Sequence, residues 1–526
     1  MRTSFRLFTL CLTLGCLFTA SLAKAQQPVF AQENYDSSML PTGQTGYVPA
    51  RPQAIYTNQV AYDPLAVAEY YGQPDYAQSG LTQSGYGGYH GDEYETAVFV
   101  DNSYNVGTSG LRSGNWFVTG WLDQGFTYNA EKPSNKSNLP LKFNDRNEEY
   151  QLNQLYVALG RNVVNSGRCI DIGGRVDLLY GADYLWTSAI GLETRAVDYH
   201  GNHQQDPSIL QPKWNKNSGI ARTTNGASRF GLATPQLYAE LYLPIHYGLN
   251  VKAGHFYSIM GYESVMSPEN FFYSHTYSMM YGEPITHTGI LFSQRLTQQL
   301  TGIFGVTRGW DTWEDPNGKL SYLAGVRWNS FDQRTELSFV VESGNETVAT
   351  PNPPYSVDGA DRTHYSLVLA HRLTPNLKLV TQHDLGYEKN AAYESHNGSI
   401  RAVNGHWYSL SQYVIYQLTD KLSLGVRGEW FRDVNSSRIL KYYPVREYDG
   451  SGTKTRYIDG QDYSNVTVGL NWKPVNCLTI RPEARWDWSG VQLIDNGGTS
   501  LSTGGAYGDF STKSQFTSSI SAILTY

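Results

Sequence analysis

From about residue 115 to the C-terminus, short segments alternate apolar and polar residues with a period of two. The clearest is LTIRPEARWDW, residues 478–488. Leu478, Ile480, Ala484, Trp486 and Trp488 take one parity, and Thr479, Arg481, Glu483, Arg485 and Asp487 the other. Successive side chains of a β-strand point to opposite faces, so this predicts a strand with one apolar and one charged face. Four consecutive charges on one face cannot sit in a dry core without complete pairing, but they can line water. Pro482 falls on the apolar parity, lacks a ladder donor and predicts a local irregularity. The same pattern places Arg427 and Glu429 on the polar face of 421–431, and Arg175 and Asp177 on that of 169–180. Arg327, Glu342, Lys378 and Asp384 follow the polar parity of their own segments. The last twelve residues, QFTSSISAILTY, carry Phe516, Ile520, Ala522, Leu524 and Tyr526 on one parity. Chain ends usually fray, so an apolar terminus predicts a final strand locked into a sheet.

The connections between these segments are of two kinds. LTQQL (296–300), LTPNL (373–377) and LTDKL (418–422) are one small turn used three times. Residues 162–168, 244–250, 330–336 and 473–477 supply the other short connections. Long polar stretches occupy 130–147, 185–234, 265–284, 313–319, 346–361, 390–402, 435–462 and 490–514. Long and short alternate strictly, and eight long with seven short connections imply sixteen strands. Outer-membrane barrels have this arrangement, with short turns on the periplasmic side and long loops outside. Soluble sandwiches and propellers have no reason to lengthen every second connection. An even strand number puts both barrel ends on the short-turn side.

Aromatic positions sharpen this picture. Trp328, Tyr416, Trp472 and Tyr526 lie beside short turns on the apolar parity; Tyr322, Tyr365, Tyr408, Trp430, Trp486 and Trp488 lie toward the long loops. Two aromatic belts separated by aliphatics are what a bilayer selects. The predicted fold is therefore all-β: a transmembrane antiparallel up-and-down β-barrel of about 16 strands, closed by the last strand pairing with 115–129.

Composition adds the remaining segments. Residues 1–25 combine MRTSFR, an apolar core and the small-residue pattern AKA, as a secretory signal does. Residues 26–110 are rich in Tyr, Gln, Gly and Ser with little periodicity, which predicts a largely disordered periplasmic arm or a wall-binding or assembly arm. Residues 111–526 form the barrel. The net charge is −7, and beyond the N-terminus no apolar run reaches the length of a membrane helix. No basic patch points to nucleic acid. Cys169 and Cys477, the two cysteines beyond the signal, have no metal-site spacing, and their strands lie too far apart around the wall for a disulfide.

Several segments resemble the OmpL-like β-barrel porins, the porin-2 family of bacterial outer membranes. They are GWLDQGFTYN (120–129), NQLYVALGR (153–161), GRVDLLYGADY (174–184), FFYSHTYSMMYGEPITHTG (271–289) and GVTRGWDTWED (305–315). The resemblance covers about 115–526 and none of the arm. It implies a barrel with pore activity but names no substrate.

The candidate pore-lining set is Arg175, Asp177, Arg327, Glu342, Arg427, Glu429, Arg481, Glu483, Arg485 and Asp487. The stretch 265–284, with Phe271, Phe272, Tyr273, His275, Tyr277 and Tyr281, reads either as a constriction loop folded inward or as a surface loop packed by its own aromatics. His275, Glu283 and His287 lack metal-ligand spacing, and DTWEDPNG (311–318) lacks the order of a calcium loop. No catalytic residue, metal or cofactor is expected. A barrel-embedded hydrolase would need a nucleophile, base and orienter together, and no G-x-S-x-G occurs. The leading reading is a water-filled porin for small hydrophilic solutes or ions, with an occluded structural or adhesive barrel as the alternative. Expected partners are outer-membrane lipid, the barrel-assembly machinery that reads terminal aromatic strands, and further copies in a homo-oligomer.

Overall fold

The structure is a computed structural model that describes residues 111–526, apart from 114, 135, 166–167, 194–229, 315–317, 347–360, 397–398, 440–444, 449–452, 457–459 and 490–511. The signal and arm expected at 1–110 lie outside the described residues, as do most of the long stretches at 185–234, 346–361 and 490–514. The first strands are β1 (Trp116–Asn129), β2 (Tyr150–Arg161), β3 (Asp171–Gly181), β4 (Gly231–Leu243) and β5 (Leu249–Tyr257). After them come β6 (Thr286–Arg295), β7 (Leu300–Thr307), β8 (Ser321–Asn329), β9 (Thr335–Asn345) and β10 (Asp361–Thr374). The chain continues through β11 (Leu377–His396), β12 (Ser399–Thr419) and β13 (Leu422–Asp433), and ends on β14 (Gln461–Val475), β15 (Leu478–Ser489) and β16 (Ser514–Thr525).

Each strand pairs antiparallel with its neighbours in sequence, and β16 pairs with β1 from Thr517↔Asn129 to Thr525↔Trp121. The sheet is thus a closed sixteen-stranded barrel without a free edge. Tyr526 completes the seam. Its N–H donates to the Gly120 carbonyl (2.9 Å), the Gly120 N–H donates back (3.0 Å), and its hydroxyl donates to the Tyr156 carbonyl (2.9 Å). The short segment Leu111–Ser113 pairs with the start of β1.

Connections alternate long and short as the sequence predicts. One stretch departs from expectation: 390–402 is mostly strand, because β11 and β12 run on to His396 and begin again at Ser399. Its polar composition suits a loop, but paired strands projecting beyond a bilayer are polar on both faces and show no alternation. The ladder between β14 and β15 jumps from Gly469↔Glu483 to Trp472↔Ile480, an interruption at Pro482 where no backbone N–H is available.

Outward side chains between the aromatic belts are mainly aliphatic, with Val426, Val468, Ile520 and Leu524 exposed. The inward residues are different. Along every strand the central inward positions are buried, including polar ones, because something fills the barrel.

Candidate functional site

The filling is the connection between β5 and β6, residues 258–285. It folds into the lumen, carrying a 3-10 turn at Ser267–Glu269 and a π turn at Ser278–Gly282. Backbone polar groups brought inside a barrel need partners. The inward charges of the wall supply them.

Arg481 on β15 donates from Nη1 to the carbonyls of Ser267 (3.0 Å), Asn270 (3.0 Å) and Phe272 (3.2 Å). Two residues on, Glu483 accepts the Tyr273 N–H (2.9 Å) and the Ser274 N–H (3.1 Å). Arg485 donates to the His275 carbonyl and pairs with Asp487 (2.7 Å), which accepts the Tyr277 hydroxyl (2.7 Å). On β13, Glu429 accepts the N–H groups of Tyr277 (2.7 Å) and Ser278 (2.8 Å). Arg427 donates to the Ser274 carbonyl (2.6 Å) and to Glu263 (2.7 Å). Residues 267–278 are therefore strapped to one side of the wall by alternating guanidinium and carboxylate groups, all but Asp487 used by the backbone above them.

Glu263 is the strap's internal anchor. Besides Arg427 it accepts the Thr276 N–H (2.8 Å) and the Tyr413 hydroxyl (3.1 Å), and lies 3.2 Å from His275 Nδ1. Burial alone would raise its carboxyl, but Arg427 and His275 hold it well below the ordinary range. Glu283, at the returning end, goes the other way: burial and the neighbouring Asp384 push its carboxyl well above that range. Gln382 bridges the two carboxylates.

Three wall glycines make room for the aromatic run. A Cβ at Gly425 would stand 2.3 Å from Phe271, one at Gly125 2.5 Å from the Tyr273 hydroxyl, and one at Gly469 3.1 Å from Phe272. The rings seat on bare backbone where any side chain would hold them off. Facing this, the wall of β6–β9 turns Leu291, Ile303, Leu323 and Val340 inward against Ile259 and Met260 of the strap.

All ten side chains proposed from the sequence as pore-lining face inward, and none is more than 5% exposed. Six of them, on β13 and β15, anchor residues 267–278 of the strap. Arg175 and Asp177 pair with each other (2.6 Å), and Asp177 also accepts from Tyr156 and Gln236. Arg327 donates to the Ile259 carbonyl (3.2 Å), and Glu342 lies 3.5 Å from His287. Of the aromatic set, Phe271, Phe272, Tyr273, His275 and Tyr277 are buried in the strap; Tyr281, half-buried, donates its hydroxyl to the Pro140 carbonyl (2.7 Å) and lies under Lys142 (4.0 Å). The surface-loop reading of 265–284 is thereby replaced, since these rings pack against the barrel's inner wall. Among the described residues no group of three His, Cys, Asp or Glu is placed to hold a metal.

Sequence reasoning missed Glu263, the glycine seats and the inward aliphatics. An inward arginine must find an acceptor, but the one Arg427 finds, Glu263, lies 164 residues away in sequence, and nothing near Arg427 names it. The glycines gave no signal until Phe271 had a place. Between the strap's two limbs and Gln236 and Lys252 of the wall lies a cavity of about 60 Å³, room for a few waters.

The sequence profile described as "Putative beta-barrel porin-2, OmpL-like" matches residues 117–526, all of the closed barrel. The chain belongs to the OmpL-like porin-2 family. It is thus a porin of the bacterial outer membrane, integral to it through sixteen strands. A search of curated proteins returns no match. Among solved structures, the porin-2 chain is similar to OprB of Pseudomonas putida (10% identity, TM-score 0.46, covering 78% of this chain and 94% of that one). It is similar also to the outer membrane channel DcaP of Acinetobacter baumannii (10%, 0.44, 79% and 99%) and to an anion-selective porin of Comamonas acidovorans (9%, 0.43, 78% and 99%).

Proposed function

We propose that the protein is a non-enzymatic diffusion channel for small hydrophilic solutes or ions, and that residues 258–285 set its aperture. One observation carries this: the strap crosses the lumen and is held by side chains of the wall. A sixteen-stranded barrel is wide enough for an aqueous channel, so the strap, rather than the barrel, determines how much opens. In this reading the ten inward charged residues line the path, those on β13 and β15 together with Arg327 govern passage through the strap they hold, and Phe271–Tyr281 form the constriction. The chain is exported by its residues 1–25, assembled by the barrel-assembly machinery that recognises the β16 aromatic terminus, and placed with arm and C-terminus in the periplasm.

The burial of inward side chains supports a second reading, a barrel whose lumen stays closed and which serves a structural or adhesive role. Planar-bilayer recording separates the two. Purified wild-type protein should give small unitary steps, and Glu263→Gln should give larger ones. Silence from both proteins, with correctly folded barrels, would sink the channel reading and leave the closed one.

A further inference from the structure

The strap's return limb begins with the π turn Ser278–Gly282, and Glu283 beyond it is extended. The last carbonyls of a helical turn have no onward partner. Here side chains from three different elements take them. Lys142, from the connection between β1 and β2, donates to the Met280 carbonyl. Arg438, from the connection after β13, donates from Nε to the Tyr281 carbonyl (2.7 Å). Trp407 on β12 donates from Nε1 to the Gly282 carbonyl (3.0 Å). Trp407 can lie against the wall because Gly386, its partner across the ladder, is bare: a Cβ there would stand 2.0 Å from the indole.

Arg438 is aimed at this place by Asp433, at the end of β13. The Asp433 carboxylate accepts the N–H groups of Ser437 (2.8 Å), Arg438 (3.0 Å) and Ile439 (2.9 Å). The Arg438 guanidinium carbon then lies 4.5 Å from the ring centre of Trp310 and 4.5 Å from that of Trp407. The two indoles stand 6.2 Å apart at 73° and form a corner. Glu388 lies 3.4 Å from Arg438 Nη1. The corner thus offers two ring faces, a carboxylate and a carbonyl, the complement of a planar cation with N–H groups along its edge. It is braced by groups other than Arg438. The Trp310 N–H donates to Glu346 (3.0 Å), and Arg362 lies 4.6 Å over the Trp310 ring while pairing with Glu388 (2.9 Å). Arg438 itself enters from a loop. Its side chain is 12% exposed, where those of Arg427 and Arg485 are 0%, so the corner communicates with water.

We propose that this corner is a guanidinium-binding site on the outer side of the strap, that Arg438 occupies it in cis as a latch on the return limb, and that a solute with a free guanidinium, as in arginine, competes with Arg438 for it. Whatever recognises the Arg438 head group recognises the same group on a free molecule. A chain-borne group acts at an effective concentration of about millimolar, so a free solute displaces it from that range upward. An alkylammonium carries the same charge but has no plane to lay on an indole and no fork to span a carbonyl and a carboxylate. Displacing Arg438 takes the donor from the Tyr281 carbonyl and loosens the return limb on its outer side. The latch rests on the channel reading; the binding site does not.

The test is titration calorimetry of the full-length protein, refolded in detergent micelles and checked for heat-modifiability. Arg438→Gln and Arg438→Ala should each bind ethylguanidinium chloride about tenfold more tightly than ethylammonium chloride. Wild type, its site filled, should bind ethylguanidinium several-fold more weakly than either variant, and Arg438→Gln/Trp310→Ala should not bind it. In planar bilayers Arg438→Gln should give larger unitary steps than wild type, and ethylguanidinium should reduce them. Equal affinities for the two cations, or for wild type and variant, would overturn the site. Equal unitary steps in wild type and variant would overturn the latch. Guanidinium-selective binding with both proteins electrically silent would instead uphold the site and overturn the channel reading.

Discussion

The side chains that matter most here are inward arginines and carboxylates whose partners are main-chain groups. Removing one member of such a pair strands the other without water. Arg427→Ala should cost about 3–5 kcal/mol, whereas Arg427→Met with Glu263→Gln should cost much less because no charge is left alone. Urea midpoints of barrels refolded in lipid vesicles measure both, and equal losses would mean the pair is water-exposed. Glu263 also gives the strap a pH dependence. Its carboxyl is held below the ordinary range in the folded state, so its stabilisation is complete above about pH 4.5, the value of a free glutamate, and is lost as pH falls through the lowered value. The groups facing it are Arg427, His275, Thr276 and Tyr413. Wild-type conductance should therefore rise on acidification below that point, while Glu263→Gln should be high at neutral pH and flat. A wild-type response identical to that of the variant would rule Glu263 out as the anchor. The glycine seats are testable in the same way. Gly425→Val drives a branched side chain into Phe271 and should destabilise the strap by about 1–3 kcal/mol, read as faster protease cleavage within 258–285.

At the level of elements, the strands were legible because a wall between lipid and a polar interior writes its two faces into alternate residues. Arg481 to Asp487 could be assigned inward on that ground alone, since no bilayer accepts them on its side. Strands β6–β9 were harder: Leu291, Ile303, Leu323 and Val340 face in, so both faces are apolar and the period of two fades. The strap was not legible as a plug. Its aromatics suit an exposed loop or a buried one equally, and the choice depends on carboxylates and glycines supplied by strands up to 210 residues away. The seam at β16, by contrast, was visible in the last twelve residues. It makes its own prediction. Ile520, exposed to lipid midway along β16 opposite Phe126, should tolerate valine but not arginine, which costs about 2–4 kcal/mol near the midplane. Deleting Tyr526 removes both backbone bonds to Gly120 and the hydroxyl bond to Tyr156, and should lower the yield of heat-modifiable barrel in membranes. Full yield from Ile520→Arg and from the deletion together would contradict closure through this strand.

For the molecule as a whole, wall and strap are separable. The barrel is held by backbone ladders around a closed sheet, which do not depend on what the inward side chains touch. The strap is held by those side chains. Arg481 and Arg485 each present a guanidinium to strap carbonyls, at Ser267, Asn270, Phe272 and His275. Replacing both with glutamate sets carboxylates against carbonyl oxygens, neither of which can donate. Reading the lumen as open water predicts that Arg481→Glu/Arg485→Glu leaves conductance near wild type and shifts the reversal potential toward cations. The strapped structure predicts something else. The double variant should still assemble, because the new charges stay off the lipid face. Its strap should detach from β15, and unitary conductance should rise several-fold toward that of an unobstructed barrel of this strand number. Cation selectivity should increase with it, since water now reaches Glu483, Asp487 and the two substituted positions, and the increase should shrink in high salt as screening shortens. A shift in selectivity at unchanged conductance would mean that the arginines face the ion path with the strap still closed. A rise in conductance would locate the gate in the strap.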